Sequence, residues 1–244
     1  MPEPVDGDWR GQTPRDAFWR GVAVAGTTPG IILCASAAGY GALARDAGFS
    51  LWNSLFVMGV FFALPAQVVM LDQIARGASL AAGALAVSLT GLRLLPMCVL
   101  LMPLLKGPRA TRPRYLLAAH FIAVTAWMEG WRRLPKLPAH LRLEHFIGIG
   151  TGLLIATLIG TFAGYEIAGN VAPIVAAVLL LLTPIYFLLS LAATAGTLSD
   201  KLAIVLGAII GPPLFVLAPG FDLLLAGLIG GTIAHYGAKL RGPA

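Results

Sequence analysis

Arg93 makes the sharpest chemical demand in this chain. It lies within the apolar run 85–105, among Leu89, Leu92, Leu94, Leu95, Met97, Val99 and Leu100, with no acid in that stretch. A guanidinium stays charged at any relevant pH, and near mid-bilayer it costs roughly 3 kcal/mol on insertion scales. It must therefore face other helices or a wet cavity, where its planar fork suits a carboxylate. Thr90 and Gly91 before it and Pro96 after it weaken the helix at that depth. Gln67, inside another apolar run, can hydrogen-bond an ammonium or a carboxylate, or join two helices. Pro29-Gly30 and Pro65 free backbone groups within apolar segments. Half-helix N-termini attract carboxylates, and the plainer reading is a kink. The substrate-binding candidates are therefore Arg93, Gln67, Pro29, Gly30 and Pro65. Glu129 and His120 are the titratable pair placed for a proton relay. They stand about two and a half helical turns apart, so they do not form a pair on one helix face. Glu129 also precedes Arg132 and Arg133, which offer it ion pairs instead.

No catalytic constellation accompanies these residues. There is no Ser-His-Asp arrangement, phosphate loop or HExxH motif, so an enzyme is the least favoured class. Cys34 and Cys98 both fall in apolar runs without metal-ligand spacing and read as core residues. No cofactor and no metal is implied. Asp72 and Glu166 lie near segment ends and read as solvated, and Asp200 reads as a helix cap.

The elements that must position such residues are membrane helices. Of 244 residues, 58% are hydrophobic and only 11% charged, against about 25% charged in soluble domains. Mean hydropathy is +0.84. Long uncharged runs joined by short polar links indicate helices rather than a β-barrel. The net charge of +6 fits basic loops that fix topology beside anionic lipid, not nucleic acid. Residues 1–17 form a polar tail without a cleavable signal, 18–238 a single transmembrane domain, and 239–244 a short basic tail. Apolar segments run over about 18–44, 50–74, 79–105, 115–131, 146–165, 171–195, 202–217 and 221–236. The segment 115–131 is the weakest, so the expectation is an all-α polytopic protein of seven or eight spans. The basic loops place the C-terminus inside in either case. Ala-Gly-Tyr at 38–40 recurs at 163–165, each followed by proline-broken segments, as in a duplicated transporter. Small residues at 35–42 allow close helix approach.

The collinear series of motifs resembles the AzlC-type branched-chain amino acid permeases, over nearly the whole chain. It comprises Phe-Trp-Arg-Gly at 18–21, Pro29-Gly30, Gly39 and Gly41, and Ala-Gly-Phe-Ser at 47–50. Phe-Ala-Leu-Pro-Ala-Gln at 62–67 and Leu-Thr-Gly-Leu-Arg at 89–93 complete it. Departures from the family pattern are Leu64, Gly91 and Leu94, and Val124-Thr125 where the family carries an acidic pair. The resemblance implies a multi-pass protein of the bacterial inner membrane that exports hydrophobic amino acids on the proton gradient, with a small AzlD-like membrane subunit as partner. Two other readings stand beside it: a non-transporting scaffold subunit, and a transporter of another small anionic or zwitterionic solute.

Overall fold

The computed structural model describes residues 12–75, 77, 79–92, 94–108, 111–168, 197–217 and 222–240, with scattered positions between 174 and 195. These are helices joined by short links, with no strand among them. Arg93 lies outside the described residues, as does most of the segment 171–195.

The apolar segments of the first half are each split into two helices. The first comprises α1 (Pro14–Val22), a 3-10 turn (Ala23–Gly26) and α2 (Thr28–Asp46), bent by 58° at Thr27. α1 starts on a capping box, in which Thr13 and Asp16 exchange side-chain and backbone hydrogen bonds. The second segment is α3 (Leu51–Val60) and α4 (Leu64–Ala75), with Ser50 capping α3 by accepting from the Asn53 amide. The third is α5 (Leu80–Gly91) and α6 (Leu94–Leu101), followed by a 3-10 turn (Met102–Leu105). The fourth is α7 (Arg112–His120) and α8 (Val124–Arg133).

The prolines act differently from mid-helix kinks. Pro29 occupies the first turn of α2, Pro65 that of α4 and Pro96 that of α6. A first-turn proline has no intrahelical partner to lose, and its fixed φ suits the helix start. Each therefore opens a second half-helix. The α7/α8 break, by contrast, contains no proline and no glycine.

By contrast α9 (Ala139–Ile167) is unbroken, about 43 Å long at 1.5 Å per residue. It begins seven residues before the apolar run at Phe146, because Glu144 and His145 are buried in it rather than looped out. It packs most extensively on α1 and α2. Glycines make the seam. A Cβ on Gly148 would sit 3.1 Å from Gly21 Cα, one on Gly160 3.2 Å from Ala37 Cβ, and one on Gly164 2.5 Å from Ala38 Cα. Without hydrophobic driving force in lipid, such backbone proximity is what holds membrane helices together.

The seam also fixes direction. Ala17 meets His145 near the start of α9, through the Ala17 carbonyl and His145 Nδ1 at 2.9 Å. Arg45 Nη1 donates to the Tyr165 carbonyl near the end of α9, at 2.8 Å. The broken pair α1/α2 and α9 therefore run parallel, with the two Ala-Gly-Tyr tripeptides at one level.

Two further helices, α10 (Leu198–Leu217) and α11 (Asp222–Leu240), pack on each other. Thr197 and Asp200 cap α10 reciprocally. By length and composition α9 and α10 each suffice to cross a membrane, and the bent pair α1/α2 is a third when counted as one span.

Candidate functional site

Three of the helix breaks meet in one core. Val24, beside the Thr27 break, Phe62, within the α3/α4 break, and Phe121 and Ile122, within the α7/α8 break, share a buried cluster with Leu33, Ile149 and Leu153. The Phe62 and Phe121 rings contact edge to face with centroids 6.3 Å apart. Phe121 lies directly against Gly150 of α9, where a Cβ would come within 2.5 Å of its Cδ2. The α7/α8 break thus has a packing cause: an aromatic ring seated on a glycine.

Each break satisfies a carbonyl that the interrupted helix leaves open. The Val24 carbonyl accepts from Thr27 Oγ1 at 2.6 Å and from the Thr27 amide at 3.0 Å. The Phe61 carbonyl accepts from Gln67 Nε2 at 2.5 Å. Gln67 is 1% exposed, and its Nε2 also lies 3.4 Å from Met58 Sδ. Its Oε1 has no hydrogen-bond partner among the described residues. Gln67 is thus both a brace for the α3/α4 break and a source of one unshared acceptor.

The other candidates fall as follows. Pro29 and Gly30 are buried at the start of α2, where Gly30 is pressed against the Ala25 backbone. Pro65 is exposed on α4, two residues from Gln67. Arg93 lies outside the described residues. His120 ends α7 and is exposed, its ring against Phe121. Glu129 is buried on α8 and accepts from Arg133 Nε at 2.7 Å and Arg132 Nη2 at 3.0 Å. The structure therefore joins Gln67 to the break layer, and it places Glu129 and His120 in different surroundings on different helices.

Glu144, His145, Tyr40 and Thr161 are among the buried polar residues outside the sequence-derived set. Glu144 pairs with Arg114 of α7, and His145 holds the Ala17 carbonyl. With Glu129, Arg132 and Arg133 they form a charged layer near the N-terminal end of α9. Toward its other end, the Tyr40 hydroxyl and Thr161 Oγ1 are buried without hydrogen-bond partners among the described residues. Their one sequence signal is placement: Tyr40 ends the first Ala-Gly-Tyr, and Thr161 precedes the second by two residues. Along α9 the order is thus a charged layer near 144–145, an aromatic layer at Gly150, and unshared oxygens at 161.

On the outer side of the α1/α2–α9 seam lies an apolar groove of about 590 Å³, lined by Ile31, Cys34, Ala38, Ile155 and Ile159 among others.

No curated protein and no solved structure matches this chain. A family model described as AzlC protein matches residues 29–171, which run from the first turn of α2 through the end of α9 and cover more than half of the sequence. The chain belongs to the AzlC family.

Proposed function

We propose that this chain is the large subunit of a secondary transporter that exports branched-chain or similar hydrophobic amino acids across the bacterial inner membrane, driven by protons. The observation that carries this reading is the meeting of three helix breaks in one core layer beside α9. Interrupted helices at one depth are how transporters present backbone groups to a solute near the midplane. In this reading Arg93 supplies the charge for the substrate carboxylate, Gln67 a buried amide, and Pro29, Gly30 and Pro65 the half-helix starts. Phe61, Phe62 and Leu92 accept the aliphatic side chain. Glu129 and His120 are the groups assigned to the proton relay. A small AzlD-like membrane subunit completes the transporter.

Eight crossings suit the parallel course of α1/α2 and α9. If both cross, an odd number of crossings lies between them. The broken pairs α3/α4, α5/α6 and α7/α8 supply three. The segment 171–195, α10 and α11 bring the total to eight, with the C-terminus cytoplasmic.

The test uses vesicles loaded with labelled valine, leucine, isoleucine and methionine under an imposed pH gradient, with and without the small subunit. Efflux is expected from wild type, with at least about a tenfold loss for Arg93→Ala, the effect of one 1.4 kcal/mol interaction. If Arg93→Ala exports all four as fast as wild type, the site assignment fails.

A non-transporting scaffold is the second reading, and one observation favours it: Phe62 and Phe121 fill the junction of the breaks with side chains. Absence of flux for every solute, with the small subunit present, would establish that reading instead.

A further inference from the structure

The three unshared oxygens lie around a single side-chain cluster. Tyr40 of α2 and Met58 of α3 belong to one buried group, with Leu158 of α9 and Phe49 packed on it. Gln67 touches Met58 through Nε2. Thr161 is placed on α9 between Leu158 and Tyr165, and the Tyr165 hydroxyl donates to the Phe49 carbonyl at 2.8 Å. Both neighbours of Thr161 on that helix face therefore touch the same cluster. Tyr40 and Thr161 are fully buried and Gln67 nearly so.

The orientation of Gln67 is determined by chemistry. Its nitrogen must face the Phe61 carbonyl, since two oxygens at 2.5 Å would repel. Its oxygen is then directed away from the break and accepts nothing among the described residues. Buried polar atoms are paired in native proteins as a rule, and each exception calls for an explanation. Among the exceptions in the described residues, Tyr40 Oη, Gln67 Oε1 and Thr161 Oγ1 come from three different helices, and all three can accept a hydrogen bond. Amide carbonyl oxygen only accepts, and the two hydroxyls accept while rotating freely.

We propose that Tyr40 Oη, Gln67 Oε1 and Thr161 Oγ1 form a binding site for a protonated primary amine. An ammonium has three donors and no acceptor, which matches three acceptors supplied without an ion-pair partner. The inference rests on the transport reading and deepens it: this is where the amino end of the substrate is held, separate from the carboxylate site assigned to Arg93.

The probe is 3-methylbutylamine, which has the aliphatic body and the ammonium but no carboxylate. It is titrated calorimetrically into the purified full chain in detergent, in sodium-free choline buffer. Wild type should bind it, and leucine should compete, whereas 4-methylpentanoate, which lacks the amine, should not displace it. Tyr40→Phe and Thr161→Val, which remove only hydroxyls without a hydrogen-bond partner among the described residues, should each weaken amine binding at least about tenfold, as expected for one lost charged hydrogen bond. Their melting temperatures should match or exceed that of wild type. Three outcomes overturn the proposal: no amine binding by wild type, unchanged binding by both variants, or occupation of the site by sodium alone that blocks the amine. Vesicle efflux separates the two claims. Leucine efflux together with unchanged amine binding in the variants rejects the amine site and leaves transport standing. Loss of amine binding in the variants, with no efflux from wild type, rejects transport and leaves the site.

Discussion

Replacing Gly164 by alanine tests the packing on which the whole arrangement depends. The added Cβ would lie 2.5 Å from both Cα and carbonyl carbon of Ala38 on α2, and closer still to its carbonyl oxygen. Ordinary contact begins near 3.4 Å, so relieving the contact with the Ala38 carbonyl oxygen would require α2 and α9 to separate by about 1.5 Å. The colliding atoms are backbone, so no rotamer change relieves the clash. Overpacking costs about 1–3 kcal/mol, and the rigidity of both partners puts this case at the upper end. For a chain of this size about 3 kcal/mol corresponds to a melting temperature about 6–12 °C lower. The assay is the loss of monodisperse protein on heating in detergent, followed by size-exclusion chromatography. Gly59→Ala and Gly207→Ala are the controls. A Cβ at either position meets nothing within 4 Å, and alanine is favoured over glycine inside a helix by about 0.5–1 kcal/mol. Both controls should melt at or above the wild-type temperature. If Gly164→Ala does the same, the parallel contact between α2 and α9 is wrong.

The remaining predictions probe the other layers. Gly150→Ala should destabilise the fold through its clash with Phe121; combined with Phe121→Ala it should cost less than the sum of the two changes, and strict additivity in a double-mutant cycle would refute the contact. Glu129→Ala should lower the yield of folded protein sharply, by about 3–5 kcal/mol in stability, because Arg133 keeps only 10% of its side chain exposed and loses its counter-charge. Arg132→Ala, at an arginine 45% exposed, should cost under about 1 kcal/mol. In a background with Cys34 and Cys98 replaced by serine, Asp46→Cys and Glu166→Cys should react with an impermeant maleimide from one face of the membrane and His140→Cys from the other. Labelling of Asp46→Cys and Glu166→Cys from opposite faces would break the parallel assignment.

Some of this organisation is legible in the sequence. The α1/α2 break could be read from Thr27-Thr28-Pro29-Gly30, because a proline there has one comfortable position, the start of a new helix. Pro65 is harder: in sequence it sits inside an apolar run, and only the structure shows that α3 has already ended at Val60. The α7/α8 break carries no local signal, since its cause is tertiary, the seating of Phe121 on Gly150. The start of α9 was hidden for the opposite reason. The apolar segment expected from 146 leaves 139–145 outside it, yet Arg114 and the Ala17 carbonyl supply partners that allow Glu144 and His145 to be buried within a helix. The small residues at 35–42 announced a close helix contact, but the glycines that complete it stand more than a hundred residues away. The amide of Gln67 was visible as a polar group in an apolar run. Its division into a braced nitrogen and an unshared oxygen depends on where Phe61 lies, which no spacing rule supplies.

The three described breaks share a construction that argues for purpose. In each, a carbonyl at the end of the first half-helix is taken up locally: Val24 by Thr27, Phe61 by Ala63 and Gln67, Phe121 by Ala123. A helix that only crosses a bilayer satisfies these groups at no cost in sequence, by continuing. Interrupting it in hydrocarbon requires replacement partners at every break, and here they include a fully buried glutamine. These interruptions, in the first, second and fourth apolar segments, converge on Val24, Phe62 and Phe121 against α9, a long helix left whole. The arrangement fits the transport reading proposed above, in which half-helices joined by short links tilt against a rigid axis and expose the layer between them first to one face and then to the other.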